Sequence, residues 1–316
     1  MNFEKSIVVV TPCHNEESNI GEFIKRIFDL GVISEIVFID DGSKDKTADR
    51  IKFFQQSYSN KEFKITLIQL TRQFGKESAI LAGLDFINKK YDAAILIDSD
   101  LQHPPEKIKD MINPWIEGFD IVSAVRDDRK SDPFLRGLFA KIFYKIFNLA
   151  VDKFSSSSGV GDFCLISNRV VDTLTNMREY NRFSKGLLPW TGFKHIFISY
   201  HHDFRNAGVS SWNFFNLFDY AVDGIFSFSI LPLKVLKLIG ISMSGASITY
   251  GLVLVIIRIC IGKVLPGYTS IMASLLFLGG INLIGIGVLG DYIGRIYLET
   301  KKRPHYILRS IKSNKN

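Results

Sequence analysis

The chain has 316 residues, a net charge of +7 at neutral pH, 47% hydrophobic and 13% aromatic residues. That length accommodates one α/β catalytic domain and something smaller. Cys13, Cys164 and Cys260 lie far apart, which excludes a cysteine metal site and fits a reduced compartment.

Apolar runs at Ile7–Val10, Ile36–Ile39, Ile65–Leu70 and Ala93–Ile97 predict buried strands of a parallel sheet. Between them, Glu17–Leu30, Thr47–Gln56, Lys76–Asn88 and Pro105–Trp115 read as helices. This is the doubly wound pattern, in which ligands bind beyond the carboxyl ends of the strands. From Leu135 to Leu149 apolar residues recur at helical spacing, with Arg136, Lys141 and Lys145 interleaved. Such a basic amphipathic helix lies either at a membrane interface or against the domain with a solvated face. Trp212 to Ser229 is a second amphipathic stretch, rich in Phe, which Pro232 breaks.

Residues 238–257 and 264–290 contain no Asp, Glu, Lys or Arg. About 20 apolar residues cross a hydrocarbon core of ~30 Å, so Leu238–Ile257 and Ile271–Leu289 predict a two-span hairpin. Arg295–Asn316 is strongly basic, which places that tail in the cytoplasm by the positive-inside rule. Two crossings put the N-terminal domain on the same side, and the opening residues show no signal-peptide pattern. The basic tail points to anionic lipid, and no nucleic-acid motif accompanies it. The organisation expected is therefore a cytoplasmic catalytic domain over 1–210, juxtamembrane helices over 211–236, the hairpin over 237–293 and the basic tail over 294–316.

The polar motifs sit at predicted strand ends. Pro12, Asn15 and Glu16 follow the first strand; Asp40, Asp41, Gly42 and Ser43 follow the second. Carboxylates there can accept the N–H and O–H donors of a base or ribose. The same four residues also make an ordinary turn with a helix cap. Asp98-Ser99-Asp100 ends an otherwise apolar strand, and two carboxylates at that spacing can hold a divalent cation against a diphosphate. His103, His201 and His202 have no metal-ligand company and read as structural.

Taken in order, Pro12-x-x-Asn15-Glu16, Asp40-Asp41-Gly42-Ser43, Arg72-x-Phe74-Gly75-Lys76, Asp98 to Glu106, Gly161-Asp162-Phe163, Arg182 to Trp190 and Arg205-x-Ala207-Gly208-x-Ser210 resemble the family-2 glycosyltransferases. Within them the chain is most similar to the polyprenyl-phosphate enzymes, the dolichol-phosphate mannose synthases and bactoprenol glucosyltransferases. The resemblance covers essentially the whole chain. It implies a GT-A-type nucleotide-sugar-binding α/β domain followed by interfacial helices and two transmembrane helices. It also implies Mg²⁺ or Mn²⁺ at Asp98, Asp100 and Gln102. Pro12, Asn15, Glu16, Asp40, Asp41, Arg72, Lys76 and Asp98 would serve the nucleotide, and Arg126, Arg136, Arg182 and Arg205 the acceptor phosphate. Asp100 and Asp162 would be catalytic. One departure is Ser211, where the family usually has Lys after Gly-x-Ser.

The activity implied is inverting transfer of one hexose, glucose from UDP-glucose, to undecaprenyl phosphate at the inner-membrane cytoplasmic face. A phosphate acceptor is ionised near neutral pH and needs no strong general base. The product would serve O-antigen or envelope glycans through a separate flippase and a downstream transferase, and the protein is expected to be a homo-oligomer. Two other readings stay open: a GDP-mannose- or UDP-aminosugar-dependent sister enzyme, and an inactive membrane sensor of nucleotide sugars. A processive synthase would carry a Gln-x-x-Arg-Trp motif, which the sequence lacks.

Overall fold

The computed structural model describes residues 6–59, 62–126, 163–200, 231–261 and 267–315. Its centre is β1 (Ile7–Cys13), flanked by β2 (Glu35–Asp40) and β4 (Ala93–Leu96), with β3 (Lys64–Leu70) beyond β2. These four pair in parallel, and the side chains of β2 and β4 are buried on both faces. That double burial explains why the runs carry no polar alternation.

The helices between them cover the faces. In α1 (Ile20–Asp29), Ile20, Phe23, Ile24 and Ile27 are buried at helical spacing. Helix α2 spans Thr47–Ser57 and α3 spans Lys76–Ile87. Gly83 in α3 lets that helix close on the sheet: a Cβ there would lie 2.5 Å from Val10 Cγ1 and 2.7 Å from Ile39 Cδ1. A 3₁₀ turn over Pro105–Lys107 opens α4 (Ile108–Ile116). The four predicted strands and their helices are therefore present, with boundaries shifted by a few residues.

The sheet is larger and less uniform than a parallel one. It has eight strands in the order β7-β5-β6-β4-β1-β2-β3-β8. Strand β6 (Cys164–Ser167) runs antiparallel to both β4 and β5 (Ile121–Arg126), and β7 (His195–Tyr200) pairs in parallel with β5. Strand β5 thus points the same way as β4, and Arg126 ends it at the sheet edge that carries Asp98. Helices α5 (Asn168–Asn176) and α6 (Ser184–Trp190) lie between β6 and β7 in the chain.

The chain divides into two compact units, one holding the sheet and the other two long helices, α7 (Leu231–Ile261) and α8 (Tyr268–Thr300). Both helices are long and apolar enough to cross a membrane, over Val235–Val253 and Phe277–Thr300. Ile259, Leu283 and Leu238 are 77%, 71% and 65% exposed, so these surfaces need an apolar surrounding that the described residues do not provide. Among the described glycines of these two helices only Gly285 has a side chain close by: a Cβ there would be 3.6 Å from Leu236.

The carboxyl terminus departs from expectation. Helix α8 runs to Thr300, and Leu308–Ser313 forms β8, antiparallel to β3. Residues 303–316 belong to the compact unit of the sheet. Part of what reads as a basic tail is a strand, and its Arg309 and Lys312 are exposed on a sheet edge, where such charge discourages edge-to-edge pairing.

Candidate active site

The loops after β1, β2 and β3 are tied to one another by short polar bonds. Asp41 is buried, and its two carboxylate oxygens accept from the backbone N–H groups of Phe74 (2.7 Å) and Gly75 (2.9 Å). Asp40, also buried, accepts from Ser43 N at 2.9 Å and from Gln69 Nε2 at 3.2 Å. Gly42 sits between them with φ +68°, and a Cβ there would be 2.6 Å from the Arg72 carbonyl carbon. No side chain fits that approach, which accounts for glycine in the motif.

The β1 loop closes the same network. Asn15 adopts φ +57°, donates its N–H to Ser43 Oγ (3.0 Å) and accepts Lys44 N–H at Oδ1 (2.9 Å). His14 donates from Nδ1 to the Asp41 carbonyl (2.9 Å) and faces Asn15 Nδ2 with Nε2 (3.2 Å). Glu16 accepts from Asn19 Nδ2 at 2.7 Å. Burial raises the Glu16 carboxyl above the usual range, and Asp100 and Asp98 push it the same way against the Asn19 bond. The Asp98/Asp100 pair therefore lies within electrostatic reach of Glu16. The same field acts on Cys13, whose thiol is raised by burial and then by Asp40, Glu16, Asp45 and Asp41.

Past β4 the chain is more open. Asp98 is paired with Lys76 Nζ at 2.7 Å, their side chains 24% and 40% exposed. Asp100 Oδ1 accepts the Gln102 backbone N–H at 3.0 Å. Between them in the chain and the turn, Leu101 has φ +60°, a costly backbone state for a leucine. Arg72 is exposed and stacks on Phe74, 4.0 Å from guanidinium carbon to ring centroid. Pro12 lies at the end of β1, with its carbonyl 3.5 Å from Ser99 Oγ.

Most of the predicted nucleotide residues thus converge, whereas of the predicted acceptor arginines only Arg182 has a described side chain. Arg126 has its backbone at the correct sheet edge. Arg182 is buried, and donates to the carbonyls of Leu174 (3.3 Å) and Met177 at the end of α5. A guanidinium satisfies the orphan carbonyls of a helix end well, and this one caps α5. Arg136, Asp162, Arg205 and Ser211 lie outside the described residues, as do Arg129, Lys130, His201 and His202. Phe163, next to Asp162, is buried against His103 and Tyr200. His103 Nδ1 is 2.7 Å from the Tyr200 hydroxyl, the structural role expected for it.

Three features were missed by motif reading. Gln69 interrupts an apolar strand and contacts Asp40, a signal visible as a lone amide near a strand end. Glu77 accepts from both the N–H (3.0 Å) and the hydroxyl of Ser184, anchoring α6 to α3. The pairing of β8 with β3 joins segments some 240 residues apart, which local periodicity does not reveal.

Asp98 and Asp100 have the chemistry for a hard divalent cation, and the ammonium already on Asp98 shows that the position accepts positive charge. Among the described residues no three His, Cys, Asp or Glu side chains form a ready-made cage. A bound phosphate and water could complete the coordination of a cation there, as suits a magnesium-type site.

Residues 8–175 match the family described as glycosyl transferase family 2. The chain is 43% identical to a bactoprenol glucosyl transferase of Shigella phage SfX, over 97% of this chain and 99% of that one. It is 40% identical to an uncharacterized glycosyltransferase of Synechocystis, over 98% and 96%. A putative glycosyltransferase of Bacillus subtilis is 41% identical over 96% and 91%. With its mixed α/β sheet of GT-A type and the carboxylate pair at the end of β4, the chain belongs to family 2 of the glycosyltransferases.

Proposed function

We propose that the protein transfers glucose from UDP-glucose to a polyprenyl phosphate, undecaprenyl phosphate, at the cytoplasmic face of the inner membrane. The carrying observation is the Asp98/Asp100 pair with Glu16, set at the carboxyl edge of the sheet in a chain so similar to bactoprenol glucosyl transferases. Two long apolar helices suit an enzyme whose acceptor resides in lipid.

In this reading Pro12, Asn15, Glu16, Asp40, Asp41, Arg72 and Lys76 frame the nucleotide. Asp41 and Asp40 act first through the loops they hold, and their remaining lone pairs face the base and ribose. Asp98 and Asp100, with Gln102, hold Mg²⁺ or Mn²⁺. Such a cation, when bound, stabilises charge on the leaving diphosphate. Lys76 leaves Asp98 and turns to the phosphates. Arg126, Arg136 and Arg205 position the lipid phosphate, bidentate contacts being the strength of arginine. The acceptor oxygen attacks the anomeric carbon in line, inverting it, with Asp162 beside the sugar. The chain divides for this purpose as 1–210, 211–236, 237–293 and 294–316, with β8 returning to the sheet. A homo-oligomer, a separate flippase and a downstream transferase complete the proposal.

The test is transfer by purified protein with Mg²⁺, undecaprenyl phosphate and a panel of labelled sugar nucleotides. Lipid-extractable label from UDP-glucose supports the reading. Label from GDP-mannose or a UDP-aminosugar moves it to a sister enzyme, and no label with nucleotide still bound replaces it by the sensor reading.

A further inference from the structure

We propose that the segment following the second apolar helix positions the nucleotide loop, through a hydrogen-bond relay from Ser310 to Gln69 to Asp40 to Ser43. The inference rests on the nucleotide reading of the β1–β2 loops.

Each link is short and has one direction. Ser310 Oγ donates to Gln69 Oε1 at 3.1 Å. Gln69 Nε2 donates to Asp40 Oδ2 at 3.2 Å. The other oxygen of Asp40 accepts Ser43 N–H at 2.9 Å, and Ser43 Oγ accepts Asn15 N–H at 3.0 Å. The amide of Gln69 has a donor end and an acceptor end. Turned the other way, its carbonyl would face the Asp40 carboxylate, and its NH₂ the Ser310 hydroxyl. The acceptor-only Asp40 carboxylate fixes the orientation in which Gln69 donates to it, and the Ser310 hydroxyl, by donating to the amide oxygen, holds the Gln69 side chain in place.

Ser310 is delivered by the sheet. It pairs directly with Gln69 across β3 and β8, at the point where the register shifts so that Leu70 meets Leu308. A bulge of this kind re-aims side chains at a strand end. The segment is also firmly seated. Thr71 N donates to the Ile307 carbonyl at 3.0 Å, and Ile65 N to Asn314 Oδ1 at 2.9 Å. Tyr306 donates its hydroxyl to Asp85 Oδ2 at 2.7 Å, on the carboxylate that also takes Arg178 bidentately at 2.7 and 2.8 Å. Ser310 and Gln69 are positioning residues: they touch the loop and not the ligand. The strand that reads as a tail therefore completes the nucleotide site.

The experiment uses the full-length protein, with UDP binding in the presence of Mn²⁺ and amide hydrogen exchange at Ser43 without ligand. A hydrogen bond contributes about 1 kcal/mol or more, so Gln69→Leu and Ser310→Ala should each weaken UDP binding about fivefold. Both should speed Ser43 exchange; Ser310→Ala should leave the melting temperature nearly unchanged, while Gln69→Leu, which takes a donor from a buried carboxylate, should also lower it. Ser310→Thr, which keeps the hydroxyl, should restore binding. The double variant should be no weaker than Gln69→Leu alone, because members of one relay are not additive. Unchanged exchange and affinity, or losses that simply add, overturn the relay. If the wild type fails to bind UDP, the nucleotide reading falls, and the exchange at Ser43 decides the relay by itself.

Discussion

Two carboxylate pairs stand at neighbouring strand ends and behave differently. Asp40 and Asp41 after β2 are buried, and each oxygen already accepts a donor from a neighbouring loop or strand. Asp98 and Asp100 after β4 are partly open, with a lysine on one and a single backbone N–H on the other. The charge of the first pair is met by the protein's own donors; that of the second is more open to a ligand. Identical residue types at equivalent topological positions are thus separated by burial and by how many donors the surrounding backbone supplies.

The largest expected effect tests the open pair. Asp100→Asn should lower turnover about a thousandfold, since cation stabilisation of the leaving group is worth several kcal/mol. The melting temperature should stay within about 2 °C. A large fall in stability would place Asp100 with the architectural pair instead. The converse holds for Asp41→Asn, which presents an NH₂ to a backbone N–H. Losing one charged hydrogen bond costs about 2 kcal/mol, read as a lower midpoint in denaturant, and a stability equal to wild type would erase the contrast.

Lys76 sharpens the comparison further. With the ammonium removed, Asp98 loses one cation that competes with a metal ion, so Lys76→Met should tighten Mn²⁺ binding several-fold in nucleotide-free protein, by titration calorimetry or EPR. Weaker nucleotide binding should accompany it. Reduced Mn²⁺ affinity would show that the lysine does not compete for the site.

The smallest effect lies away from both pairs. His195 is 2.8 Å from Ser123 Oγ, and burial lowers its pKa to about 4. The unfolded chain titrates near 6.5, so between those values the unfolded state binds more protons and stability falls as pH drops. His195→Gln should flatten the loss of stability between pH 6.5 and 4, measured by chemical denaturation at several pH values. An unchanged slope would assign that loss to other groups.

Much of the nucleotide half was readable from local pattern. Continuous apolar runs of Ile and Val declare strands buried on both faces, and polar motifs just beyond them fall at the ligand edge of any doubly wound sheet. Gly42 and Pro12 were legible for the same reason, because turn chemistry is written in adjacent residues. Arg182 was not: a cation in a motif looks the same whether it meets a phosphate or the end of α5, and only its burial against two carbonyls separates the cases. The strand–helix alternation, the two apolar helices and the polar motifs at strand ends are legible locally, since each depends on composition within a few turns of chain. The reversal of β6, the strand within the basic carboxyl terminus and the engagement of Asp40 and Asp41 emerge only on folding. Those depend on pairing between segments tens to hundreds of residues apart, where donors and acceptors meet only after the chain has folded.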